Sequence, residues 1–294
     1  MFSDGHAVST QIIQWYPGHI AEAEKQLKNS LEKVDLVIEV RDARIPLSTS
    51  HPCLQKWIKN KKHLLVINRR DMISVKALEK WDRWFKQQGQ RALWCNAKDG
   101  TGAKQIKEAA IELGNELNTR RELRGMRHRA VRALTLGFPN VGKSALINRL
   151  VNKKVVQSSR RAGVTKTLRW VRVGQRLDLL DAPGVLPTRL DDQEAALRLA
   201  LCDDIGQAAY DIESVAIKFL EIINQFKATD IAGNHDQILE KRYGVQFKNS
   251  QYNAHTWLNN AAIHHTSGDI NRMAQRLLDD FRKSLIGPIS LELP

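Results

Sequence analysis

The sequence predicts an α/β fold: a doubly wound, mostly parallel sheet over residues 1–187, then a small all-α region over 188–294. Three observations carry this. Short aliphatic or β-branched runs alternate with helical patterns as far as Asp181, which is how strand–helix–strand units read. Past Pro187 only helical periodicity remains. The charge also breaks there. Residues 1–187 hold 35 Lys and Arg against 17 Asp and Glu, whereas residues 188–294 hold 11 against 15.

The strand runs are 34–40, 63–68, 91–96, 131–137 and 176–181. Helical spacing fills 52–59, 75–88 and 102–127 between them, and 145–151 after the fourth. Residues 168–173, the turn Gly174-Gln175 and residues 176–180 read as a hairpin added at one edge. In the tail, helical patterns cover 193–203, 211–226, 238–243 and 269–286, and the boundary is expected near 186–192.

Composition excludes several classes. No apolar run approaches the ~20 residues that span a bilayer, and the first residues lack the basic-then-apolar pattern of a secretory signal. Cys53, Cys95 and Cys202 fit no zinc-ligand spacing, so reduced thiols and a cytoplasmic location are expected. Residues 149–176 carry nine basic side chains and no acidic one, and 119–132 carry six arginines against Glu122. Such runs point to a polyanionic partner, nucleic acid above all.

Gly137-Phe-Pro-Asn-Val-Gly-Lys-Ser144 matches G-x-x-x-x-G-K-[ST] between a strand and a helical segment. Glycines there let the backbone amides of Asn140, Val141, Gly142, Lys143, Ser144 and Ala145 wrap phosphate, while Lys143 reaches the β and γ groups. Ser144 offers a hydroxyl to Mg²⁺. Leu177-Asp-Leu-Leu-Asp181-Ala-Pro-Gly184 places D-x-x-G at a strand end. Asp181 can there hold Mg²⁺ through water, and the Gly184 amide can approach the γ-phosphate. Asn68-Arg69-Arg70-Asp71 resembles the N-K-x-D guanine reader, and Asn96-Ala97-Lys98 the S-A-K loop whose N–H meets guanine O6. A carboxylate at Asp71 would accept the N1–H and exocyclic amine that adenine lacks as a pair.

Here the base-reading motifs precede the phosphate loop, the order of circularly permuted GTPases. Trp15-Tyr-Pro-Gly-His19-Ile-Ala-Glu-Ala and Arg41-Asp-Ala-Arg-Ile-Pro46 resemble the W-[FY]-P-G-H-M-x-K-A and R-D-A-R-x-P signatures of the YlqF/RbgA ribosome-biogenesis GTPases. The resemblance covers residues 14–187 closely, and the tail in size and position. Arg69, Asn96 and Ala182 depart from the usual Lys, Ser and Thr.

The resemblance implies GTP and GDP as ligands, Mg²⁺ as cofactor, and a large ribosomal subunit precursor with its rRNA as partner of a free monomer. The place of the water-orienting Gln is taken by Val185, which has no hydrogen-bonding group, so slow intrinsic turnover is expected. The resemblance offers His19 as the group that orients water, against a helix-starting histidine that merely packs. Thr165, in Gly163-Val-Thr165-Lys, is the expected switch threonine and Mg²⁺ sensor, with Thr167 as competitor. Asn140 occupies a position resembling a K⁺ ligand, against a loop-bracing asparagine. The expected function is a nucleotide-gated GTPase acting in large-subunit assembly. An RNA-binding scaffold with negligible hydrolysis is the alternative, and Asn68 and Asp71 argue against an ATP enzyme.

Overall fold

The computed structural model describes residues 13, 20–59, 61–156, 168–182, 184, 186, 192–226, 235–246 and 253–294. His19, Thr165, Thr167, Val185 and most of the expected boundary lie outside the described residues. Strands β1 (Leu36–Asp42), β2 (Lys62–Asn68), β3 (Ala92–Trp94), β4 (Val131–Leu136), β5 (Arg169–Val173) and β6 (Leu177–Asp181) form one sheet in the order β3-β2-β1-β4-β6-β5. All neighbours are parallel except β5–β6. The expected edge hairpin is this antiparallel pair.

Both faces are covered, and strand alternation decides which side chain goes where. Val37, Leu134 and Leu180 meet Leu27 and Leu31 of α1 (Ile20–Leu31), with Leu54 and Ile58 of α2 (Leu54–Ile58). Leu65 and Ile67 meet Trp81 and Phe85 of α3 (Val75–Gln87). On the opposite face Ile38, Val66 and Ala133 meet Ile106 of α4 (Ala103–Glu122) and Leu146 of α5 (Lys143–Val151). Helix α4 carries the chain from the outer strand β3 to the central β4, touching β1, β2, β4 and β6. It ends at Glu122, short of residue 127, because the Met126 N–H folds back onto the Arg121 carbonyl.

The tail comprises α6 (Gln193–Leu201), α7 (Ile212–Phe226), α8 (His235–Tyr243), α9 (Ala254–Thr266) and α10 (Ile270–Arg282), with no strand among the described residues. Helix α9 is missing from the sequence reading. It is rich in Asn, His and Thr, weak helix formers, and its buried stripe includes three alanines, Ala254, Ala261 and Ala262. Asn253 caps it, accepting from the His255 and Thr256 amides, and packing on α10 does the rest.

The helical part shares its core with the sheet: Leu199, Phe219, Leu277 and Phe281 belong to the same buried cluster as Val40 and Ile45. The last residues return to the loop after β1. Leu291 N–H donates to the Arg44 carbonyl at 2.9 Å. The buried Glu292 carboxylate accepts from the Leu47 and Ser48 amides at 2.7 and 2.9 Å, and from the Ser48 hydroxyl.

Candidate nucleotide-binding site

The site lies at the C-terminal ends of β1, β2, β4 and β6, where Asp42 is in register with Asn68 and Thr135 with Asp181. The chain leaves β1 and the adjacent β4 toward different helices, and such a crevice is where ligands bind in open α/β sheets.

Residues 137–144 turn from β4 into α5. Gly142 has φ +99°, and a Cβ there would stand 2.2 Å from the Asn68 amide nitrogen. The loop closes against the base-reading motif only because that position is glycine. Lys143 is buried, its Nζ donating to the Gly137 and Phe138 carbonyls at 3.1 and 2.7 Å. Burial lowers its pKa to about 8, against the opposing pull of Asp181 and Asp204. Ser144 and Ala145 are half-buried in the first turn of α5. Gly184 lies against the same loop, where a Cβ would approach the Pro139 nitrogen to 2.6 Å. The D-x-x-G segment thus packs directly on the phosphate loop.

Asp181 ends β6 with Oδ1 buried and without a hydrogen-bond partner, and burial raises its pKa despite Lys143. An orphaned carboxylate oxygen near Lys143, with the Ser144 hydroxyl at the start of α5, fits Mg²⁺. A hard cation takes such oxygens.

Asn68 joins both halves of the site. Its Nδ2 donates to the Val141 carbonyl at 2.9 Å, and its Oδ1 accepts from the Ala97 amide at 3.0 Å. Asn96 braces its own loop, accepting from the Lys98 amide and donating to Asp99. The Ala97 and Lys98 amides of this S-A-K-like loop are therefore both engaged within the protein. Arg149 also holds this loop, through the Ala97 and Lys98 carbonyls. Arg69 adopts a left-handed backbone (φ +62°). Its guanidinium reaches the Asn140 carbonyl at 2.6 Å and Asp42 at 3.2 Å. Asp71 is exposed in the turn Arg70–Met72.

Asp42 and Arg44, in sequence no more than part of a signature, form a buried pair beside the site. Asp42 is fully buried and grips Arg44 at 2.7 Å, besides contacting Arg69. Burial alone would raise its pKa, but Arg44 and Arg69 hold it below the usual carboxylate range. Arg44 in turn lies 5.3 Å from the Phe281 ring of α10. Asn140 donates from Nδ2 to the Asp203 carbonyl at 2.6 Å, a bracing contact that ties the phosphate loop to the helical part. Beside it Asp204 is fully buried, with neither carboxylate oxygen bonded. An unmatched Asp following α6 was the available signal, but spacing alone gives it no partner.

Residues 132–225 match the model of a family described as 50S ribosome-binding GTPase. The match starts in β4 and leaves out the base-reading motifs, as the permuted order requires. Ribosome biogenesis GTPase A of Bacillus pumilus is 36% identical over 79% of this chain and 80% of its own. The Bacillus licheniformis protein of that name is 33% identical over 96% and 99%. Mitochondrial ribosome-associated GTPase 1 of Bos taurus is 30% identical over 96% and 89%. GNP-bound YlqF from Thermotoga maritima superposes with a TM-score of 0.60 at 22% identity, over 93% of this chain and 98% of its own, and shows the fold. On its phosphate loop, its displaced base reader and these relatives together, the chain belongs to the ribosome biogenesis GTPase A family.

Proposed function

We infer that this protein binds and hydrolyses GTP as a ribosome assembly factor, and that its partner is a large-subunit precursor with its rRNA. One observation carries the nucleotide part: Asn68 bridges the phosphate loop and the base-reading loop, so one nucleotide can occupy both despite their reversed order. Lys143 holds the β and γ phosphates, exchanging its carbonyl partners for phosphate oxygens. Ser144 and Asp181 would hold Mg²⁺, with Thr165 as its switch-region sensor. When bound, the ion offsets charge on the β and γ phosphates. His19 orients the attacking water, in place of a side chain that Val185 does not have. Asn140 is the candidate K⁺ ligand, through a side chain whose nitrogen already braces Asp203.

Residues 1–187 form the GTPase unit, and residues 188–294 the part whose attitude reads its state. The Asn140–Asp203 contact supports that gating, since a shift of the phosphate loop acts on the helical part without an intermediary. No described helix is long and apolar enough to cross a membrane. The bacterial relatives support a cytoplasmic site of action, and the free protein is a monomer on this reading.

Phosphate release from GTP, measured with and without large subunits in K⁺ or Na⁺ buffer, tests the reading. Turnover should be slow alone, rise with subunits and be higher in K⁺. His19→Ala should lower the stimulated rate while leaving GTP affinity within about threefold, because water positioning acts in the transition state. Turnover that large subunits leave unchanged would favour the scaffold alternative.

The buried lysine gives a separate expectation. With its pKa near 8 in the free protein, Lys143 is half neutral at pH 8 and largely neutral by pH 9, and phosphate binding should return its proton. Titration calorimetry at pH 9 in two buffers of different ionisation enthalpy should show proton uptake of up to one per GTP. Lys143→Met should remove the lysine's share and leave only the smaller uptake by guanine N1, and equal heats in the two buffers for the unaltered protein would contradict it.

A further inference from the structure

We propose that the outer edge of the sheet, around Trp170, is a stacking surface for an unpaired RNA base, flanked by Arg132 and Arg172. The proposal rests on the ribosome-assembly reading for its choice of RNA.

Across the face covered by α1 and α2, register sets Leu134 beside Leu180 and Leu180 beside Trp170. The first two are buried with Leu27 and Leu31 of α1. The row continues outward onto the edge strand β5 and ends in Trp170, which is 44% exposed. An edge strand that serves only to close a sheet is ordinarily given charges, and β5 has those too. Arg169 and Arg172 are exposed on it, and a large indole left between them requires another reason.

The neighbouring row supplies charge. Arg132 is in register with Asp178, and Asp178 with Arg172. Arg172 meets Asp178 at 3.3 Å, and the Arg132 guanidinium lies 5.7 Å from the centre of the Trp170 ring. Arginine beside an indole, with a second arginine two residues along, offers a π-face and phosphate donors to one nucleotide step.

Other members of the basic runs are already committed inside the protein. Arg149 holds the Ala97 and Lys98 carbonyls, and Arg129 pairs with Asp35 at 2.7 Å. Arg132 and Arg172 have partners too, the Trp170 ring and Asp178, but both stay exposed beside that ring. A paired helix offers phosphates but no free base face, so the indole selects for an unpaired segment.

Anisotropy of labelled oligoadenylate, against an RNA duplex at matched salt, tests this. Trp170→Ala should weaken oligoadenylate binding roughly tenfold or more, Trp170→Phe should keep most of it, and duplex affinity should stay within about twofold. Arg172→Ala should make the salt dependence of single-strand binding shallower by about 0.7 in log–log slope. GTP turnover should be unchanged in all three variants. Oligoadenylate affinity indifferent to Trp170→Ala, or equal losses for oligoadenylate and duplex, would overturn the proposal. So would polyglutamate displacing oligoadenylate as well as RNA does, which would make the patch a surface for acidic protein. Co-sedimentation of the unaltered protein with large subunits separates the two readings. Its absence, with Trp170-dependent oligoadenylate binding intact, would sink the assembly reading alone. Its presence without the Trp170 effect would sink the stacking surface alone.

Discussion

Asp71→Asn should lower GTP affinity by about three to five orders of magnitude and turn the site toward xanthine nucleotides. Guanine presents N1–H and an exocyclic amine as adjacent donors, and a carboxylate accepts both. An amide keeps one acceptor and sets its NH₂ against the other donor. Xanthine replaces the amine with a carbonyl oxygen, which that NH₂ can serve. The loop around Asp71 should survive the change, because its anchors lie elsewhere. The Arg70 amide bonds to the Cys95 carbonyl, Arg69 is clamped to Asn140 and Asp42, and Asp71 itself is exposed. Competition among GTP, XTP and ATP for a fluorescent nucleotide checks this. Unchanged GTP preference in the variant would remove Asp71 from the base site.

Arg44→Ala should cost about 3–5 kcal/mol of folding stability, read from the shift in a urea transition. The pair it breaks is fully buried on both sides. Of its two guanidinium partners Asp42 would keep Arg69, at 3.2 Å, besides the backbone amide of residue 44 at 2.9 Å. The Phe281 contact and the seat of the chain end near Leu291 would loosen together. The pH dependence should separate the ion pair from mere packing. In the unaltered protein Asp42 is held below its unfolded pKa, so its stabilisation is present above about pH 4 and is lost as pH falls through the folded value. In the variant, burial with one guanidinium removed pushes the carboxyl upward. That protein should be penalised most near neutrality and relatively less on acidification. His51, held near pKa 4 by burial, adds to both proteins a loss of stability between about pH 6.5 and 4. The difference between the two proteins should therefore shrink with acid. A difference constant from pH 7 to pH 4 would show that Arg44 contributes through volume alone.

These two predictions divide along the line between what sequence and structure each make legible. The strands, the phosphate loop and the strand-end positions of Asn68, Asp71 and Asp181 follow from local pattern. A period of two, a glycine-bearing turn and a helix start are properties of neighbouring residues, and they survive the reordering of the chain. The same locality explains the failures. Helix α9 has little propensity of its own and is held by α10 and a cap. The end of α4 depends on where Met126 can fold back.

Partnership across long separations was legible only in three dimensions. Arg69, read as a departure from the usual Lys, spends its guanidinium on Asn140 and Asp42. Asn140, left between ion ligand and brace, donates to Asp203. The tail, set apart in sequence by its charge and periodicity, has buried neighbours in the sheet and reaches the loop after β1 through Glu292. Sequence by itself determined the fold class, the permuted motif order and the chemistry of a guanine nucleotide site, because each is written in short segments with their own backbone logic. Tertiary structure decided which polar groups are spent on each other. Burying a charge or an amide is costly unless a partner arrives with matching geometry, and for Arg44 and Ser48 those partners come from as far away as Cys202 and Glu292.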